Sequence, residues 1–256
     1  MAVIIGSARI DERGKISGGK DGDNNGREVS TQNYYAKPAG APWRVLRPKN
    51  ATKAAKIAAC MRKACANDHI GYNQNRRLTL YNLAKPYGFD VSKVTQNCAT
   101  DCSALVRVCC AYAGIVVGNF TTSNEARMLL ATGEFVEMAD KKYRTGSAYL
   151  REGDVLVTPS KGHTAVVLSS GNASEPLPEA TPEPAVSDAG SGRQLALKPG
   201  KWNLRAGPGT AYPPIDIVSD GEAVRVDVGG WMFVKAGDKL GWIGPSAISE
   251  NEPGVR

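Results

Sequence analysis

Asp101-Cys102-Ser103-Ala104-Leu105-Val106 is the stretch on which the fold of this chain turns. From Cys102 onward the apolar positions Leu105, Val106, Cys109, Cys110 and Ala113 recur with a period near 3.6, which predicts a helix over 102–113. Asp101 stands where an N-cap belongs, because a short carboxylate there accepts backbone N–H bonds from the first turn. Cys102 then sits at the positive end of the helix dipole. That position favours thiolate and is expected to hold the thiol below its free pKa of ~8.5. The same unpaired N–H groups can stabilise an oxyanion.

Working outward, Asp154–Thr158 and His163–Leu168 are two apolar runs joined by a Pro-Ser-Lys-Gly turn, the pattern of antiparallel strands. His163 opens the second strand. The chain has two histidines, so the choice of a general base for Cys102 is narrow. His69, beside Asp68, reads as a helix-end histidine. Lys53–Ala66 carries Ala54, Ile57, Ala58, Met61 and Cys65 on one face and is expected to be helical. Val3–Ile10 and Arg27–Tyr35 are expected strands around a Gly/Asp/Asn-rich loop, Gly14–Gly26. The acidic run within that loop lacks the spacing and final Glu of a calcium loop and reads as a turn. Helices first and an antiparallel sheet after them make an α+β pattern.

Six cysteines lie between Cys60 and Cys110. A secreted disulfide scaffold would be shorter and spread them more evenly, so they are expected to be mostly reduced. Cys60, Cys65, Cys109 and Cys110 read as core. Cys98 reads as a loop thiol, a redox partner or a zinc ligand; two histidines make a four-ligand zinc site a poor fit.

Residues 171–193 change character. Pro176, Pro178, Pro182 and Pro184 stand among Ala, Glu and Ser without hydrophobic periodicity, as in a semi-rigid linker. The expected organisation is a domain over 1–170, this linker, and a second domain over 194–256. In the last, short runs broken by Gly and Pro (Gln194–Leu197, Ala223–Val228, Trp231–Lys235, Lys239–Ile243) suggest a small all-β barrel.

The formal charge is +7, which suits an anionic partner. The basic residues are scattered and no recognition motif accompanies them, so nucleic acid is not expected. No stretch approaches the ~20 apolar residues of a membrane span, so no stable membrane insertion is expected. The apolar run at Ala2–Ile5 is too short for a signal-peptide core. The chain is therefore expected to be made in the cytoplasm and to reach any outside target after release.

Asp101-Cys102-Ser103-x-Leu105-Val106, Gly153-Asp154-Val155-Leu156 and His163-Thr164-Ala165-Val166-Val167-Leu168 together resemble the NlpC-type papain-like peptidases of bacterial cell walls. The resemblance implies a papain-like α+β fold, Cys102 as nucleophile and His163 as base, with no metal or cofactor. The segment Ala66–Tyr72 is similar to the family's stretch that supplies a cleft tyrosine, here Tyr72. Asp101 and Ser103, flanking the nucleophile, are assigned with it to substrate binding. Family members continue past the base strand into further strands, yet here the linker follows closely. Residues 1–35 carry the matching pattern (Val3-Ile4-Ile5-Gly6-Ser7-Ala8, then Glu28-Val29-Ser30-Thr31). The resemblance thus implies a circular permutation that puts the third polar residue at Ser7, with Asp23, Glu28 and Asn172 as other candidates.

Asn203-Leu204-Arg205-Ala206-Gly207-Pro208-Gly209-Thr210-Ala211-Tyr212, with the Trp231 and Trp242 strands, resembles bacterial SH3-type domains. That resemblance implies wall binding through Tyr212, Trp231 and Trp242. The combined expectation is a peptidoglycan hydrolase of the phage or prophage endolysin kind, acting on wall stem peptide or cross-bridge, with an endopeptidase favoured over an amidase that cuts between muramic acid and alanine. The alternative is a wall-binding protein with an inactive papain-like scaffold.

Overall fold

The computed structural model describes residues 2–38, 40–159, 162–173, 196–205, 210, 214–219, 222–228, 231–236 and 239–249. The chain divides into two units, 1–181 and 182–256.

The first unit is α+β. Its elements run β1 (Ile4–Ala8), β2 (Val29–Asn33), β3 (Arg44–Pro48), α1 (Ala51–Cys65), β4 (Ile70–Tyr72), α2 (Thr79–Ala84), β5 (Cys98–Thr100), α3 (Cys102–Tyr112), α4 (Glu125–Ala131), β6 (Phe135–Glu137), α5 (Lys141–Arg144), β7 (Val155–Val157) and β8 (Thr164–Val167). Six strands form one sheet in the order β2-β1-β8-β7-β3-β6, with every neighbouring pair antiparallel. The strand β1 pairs with β8 through Ile5↔Val167 and Gly6↔Val166, so the N-terminal hairpin completes the sheet beside His163.

The expectation that helices precede the sheet is corrected here. Three strands come before α1, and β3 lies inside the sheet. The arginines at Arg44 and Arg47 interrupt the apolar alternation of β3. Both are paired, Arg44 with Glu137 at 2.6 Å and Arg47 with Asp154 at 2.8 Å.

The side chains of Val3, Ile5, Trp43, Val45, Leu156, Ala165 and Val167 form a core on one face of the sheet. Both α1 and α3 pack on β1 and β8. At Gly6 a Cβ would stand 2.6 Å from Met61 Cγ, so the missing side chain is what lets α1 lie close on β1. Caps start both helices: Asn50 accepts from Lys53 N at 3.0 Å, and Asp101 from Ala104 N at 2.7 Å. Nearly all of α3 is buried, as expected of a helix apolar on most of its surface.

A short parallel ladder, β4 with β5, pairs Ile70↔Cys98 and Tyr72↔Thr100. It sets Tyr72 beside the entry to α3. Cys98 is therefore a buried strand residue and not a loop thiol. All six cysteines are free. His69 is corrected as well: α1 ends at Cys65, and His69 lies in the following turn with its ring 2.8 Å from Asn97 Oδ1.

The second unit contains β9 (Ala196–Leu197), β10 (Trp202–Arg205), β11 (Pro214–Val218), β12 (Glu222–Val228), β13 (Trp231–Ala236), β14 (Lys239–Ile243) and β15 (Ile248–Ser249). These make one seven-stranded antiparallel sheet in the order β11-β10-β14-β13-β12-β9-β15. Trp231 lies on β13 and Trp242 on β14, where it is opposite Phe233. Tyr212, and the linker from residue 174 on, lie outside the described residues.

Candidate active site

The entry to α3 is fixed by Arg77. The Asp101 carboxylate caps the helix with one oxygen and takes Arg77 Nε at 2.5 Å with the other. Ser103 Oγ donates to Asp101 at 3.0 Å and accepts from Arg77 at 2.8 Å, and Arg77 also reaches Phe120 O at 2.5 Å. Asp101 and Ser103, expected to touch substrate, are thus turned into a buried network instead. Such a network rigidifies the turn that presents Cys102. The backbone N–H groups of Ser103 and of Thr164, the residue after His163, favour the thiolate form of Cys102.

His163 is held from both sides. Its N–H donates to Thr158 Oγ1 at 3.0 Å. Gly162 N donates to Thr122 Oγ1 at 3.1 Å, and Thr164 Oγ1 donates to Glu125 Oε1 at 2.7 Å. The imidazole lies against Trp43, ring centroids 6.3 Å apart. Its Nε2 is 3.3 Å from Ser7 Oγ. Of the four candidates for a third polar group, Ser7 is the one that reaches the ring. Asp23 accepts from the N–H groups of Asn25, Gly26 and Glu28 in its own loop. Glu28 accepts from Asn24 N and Tyr72 N. Asn172 is exposed.

Cys102 and His163 line one cleft of about 300 Å³ together with Tyr72, Tyr35, Arg9 and Lys37. Tyr72 is buried, and its hydroxyl accepts from Gln74 Nε2 at 2.9 Å. A second hollow of about 240 Å³, lined by Arg47, Ala51, Ala54 and Asp154, contains none of these residues.

Residues 5–174 match the family model described as an endolysin-like domain. The chain belongs to the endolysin-like domain family. The matched span contains Ser7, Cys102 and His163 and ends before the second unit. No curated protein and no solved structure matches the chain.

In this endolysin-like domain burial governs the charges of the cleft. The Cys102 thiol is 8 % exposed. Burial pushes it up to about 12, and the Asp101 and Glu125 carboxyls add to the rise against the two backbone N–H bonds. The helix dipole is expected to lower this thiol, and desolvation of the thiolate acts against it. His163 is driven the other way, to about 4, by burial first and by Lys37 and Arg9 after it. The resting pair is therefore neutral thiol and neutral imidazole. Glu125 is fully buried and is held well above the usual carboxylate range by desolvation. It lies behind Thr164, whose hydroxyl donates to it.

Sequence reasoning missed Arg9, Lys37, Trp43, Arg77 and Glu125. None belongs to a motif. Each reaches the site through a strand pairing or a packing contact that has no local signal.

Proposed function

We propose that this protein is a peptidoglycan hydrolase that cleaves a wall-peptide amide through a Cys102 thioester. The observation that carries the proposal is the joint lining of one cleft by Cys102, at a helix N-terminus, and His163, at a strand start, within an endolysin-like domain. The endolysin-like family itself points to a protein that acts on the cell wall.

The amide carbonyl approaches the Cys102 sulfur. His163, neutral at rest, takes the thiol proton as the carbon–sulfur bond forms, so no stable thiolate precedes attack. Backbone N–H groups at the start of α3 hold the oxyanion. The imidazolium then protonates the leaving amine, and water activated by the same imidazole hydrolyses the thioester. Ser7 Oγ steadies the imidazole through Nε2, which leaves Nδ1 to work on the thiol. Tyr72 lines the peptide path.

On this view the first unit is a papain-like domain. It is circularly permuted, because β1 and β2 stand where the NlpC-type pattern has strands after the base. The second unit is an SH3-type wall-binding module that uses Tyr212, Trp231 and Trp242. Tethering raises the effective concentration of the enzyme at an insoluble substrate. The bond cleaved is assigned to the stem peptide or cross-bridge, an endopeptidase site. Digestion of purified Gram-positive walls followed by mass spectrometry tests this. New peptide amino and carboxyl termini are expected. New reducing sugar ends would contradict it, and free muramic acid lactyl groups would move the assignment to an amidase.

The protonated, buried state of Cys102 favours a second reading, a wall-binding protein with an inactive scaffold. Under it the protein binds walls and releases no peptide.

A further inference from the structure

The charge in the cleft is one-sided. Arg9 and Lys37 both line it. Among the described residues neither forms an ion pair, whereas Arg44, Arg47, Arg62, Arg76 and Arg77 each pair with a carboxylate. Arg9 commits Nη1 to Gln32 Oε1 at 2.7 Å. Its Nε is buried with no hydrogen-bond partner. The guanidinium thus lines the cleft with its charge unpaired and one donor unmet, and a carboxylate is the group that supplies both a counter-charge and an acceptor. Lys37 Nζ lies 4.6 Å from the Trp43 ring centroid and 4.9 Å from that of Tyr35. Aromatic faces hold a cation without neutralising it. Burial lowers the pKa of Lys37, the sign of an ammonium short of a counter-ion.

We propose that Arg9 and Lys37 form a subsite for a free carboxylate on the wall peptide, next to the amide that Cys102 attacks. The domain would then select peptides that bear this carboxylate over peptides in which it is a carboxamide. The proposal rests on the hydrolase reading for the identity of the ligand. It has a consequence for the base. The two cations oppose protonation of His163, and a bound carboxylate offsets them. The imidazole becomes a better proton acceptor once the correct substrate is in place.

The test uses the full chain with Cys102→Ala, so that ligand is bound and not consumed. Two synthetic stem peptides serve as probes, identical except that one has free carboxylates and the other has each as a carboxamide. With two histidines in the chain, the imidazole NMR signals of His163 and His69 are readily told apart. The free-carboxylate peptide is expected to bind about 10-fold more tightly, the size of one charge-assisted contact. It is expected to raise the apparent pKa of His163 by about one unit while leaving His69 in place. Arg9→Gln combined with Lys37→Gln should abolish the preference, so that the two peptides bind alike. Arg9→Lys, which keeps the charge and loses the fork, should retain part of it. Equal binding of the two peptides, no binding of either, or a preference that survives the double substitution would overturn the subsite. Failure of the hydrolase reading shows separately: the unsubstituted protein would release no product from either peptide while the binding preference persisted.

Discussion

His163 Nε2 and Ser7 Oγ meet at 3.3 Å although 156 residues separate them in the chain. The contact exists because β1 pairs with β8 and puts Ser7 on the same face as the imidazole. In the proposed mechanism Ser7 fixes the ring so that Nδ1 serves the thiol. A neutral hydrogen bond of this kind contributes about 1 kcal/mol. Ser7→Ala is therefore expected to lower kcat by about 3- to 10-fold, with KM little changed, in a soluble stem-peptide assay. An unchanged kcat would remove Ser7 from the mechanism.

The neutral resting pair is tested by the reactivity of Cys102. With the thiol up at about 12 and the imidazole down at about 4, alkylation by iodoacetamide should rise steadily with pH between 5 and 9. A plateau already present at acidic pH would reveal a preformed thiolate–imidazolium pair. That result would reinstate the dipole-driven thiol that the sequence suggests.

Burial of His163 also ties stability to pH. Its folded-state pKa, about 4, lies below the 6.5 of a free imidazole. Above 6.5 neither folded nor unfolded chain protonates it, and stability is full. Between 6.5 and 4 only the unfolded chain takes the proton, so stability falls as pH falls; below 4 the loss is complete. Because the ring is partly open to the cleft, the loss attributable to it is put at about 2 kcal/mol. Denaturant titrations of wild type and His163→Gln at pH 7 and pH 4.5 measure it. The variant should show a smaller loss on acidification than the wild type.

The Arg47–Asp154 pair joins β3 to the Gly153 turn that precedes β7, with both side chains buried and both carboxylate oxygens engaged. Removing one partner leaves a buried charge unmatched. Asp154→Asn is expected to cost about 3–5 kcal/mol, visible as a lower thermal midpoint by circular dichroism. A loss under 1 kcal/mol would mean that water replaces the ion pair.

The parts of the fold that the sequence exposes are those with short-range signals. The α3 helix is legible because a cap, an apolar stripe and the Asp101-Cys102-Ser103 stretch all lie within a few turns. The β8 strand is legible because it is an unbroken apolar run. The α+β class follows from these elements. The strand β3 was missed because Arg44 and Arg47 look like surface residues until their partners, 93 and 107 positions away, are in place. In the candidate site, Cys102 and His163 stand out by type and position, and Ser7 only through a family resemblance. Asp101 and Ser103 look like substrate contacts from their neighbourhood to Cys102, yet Arg77 draws both inward. Arg9, Lys37 and Trp43 acquire meaning only once the N-terminal hairpin is inserted beside β8. The upward push of burial on Cys102 is hidden in sequence for a related reason, since a dipole is visible there and desolvation is not.

The most direct test of the central claim is clearance of purified Gram-positive walls by the wild-type chain and by Cys102→Ala, with binding to the same walls measured in parallel. The thioester mechanism predicts that wild type lowers turbidity while Cys102→Ala binds equally and clears nothing. Clearance by Cys102→Ala at the wild-type rate would contradict it.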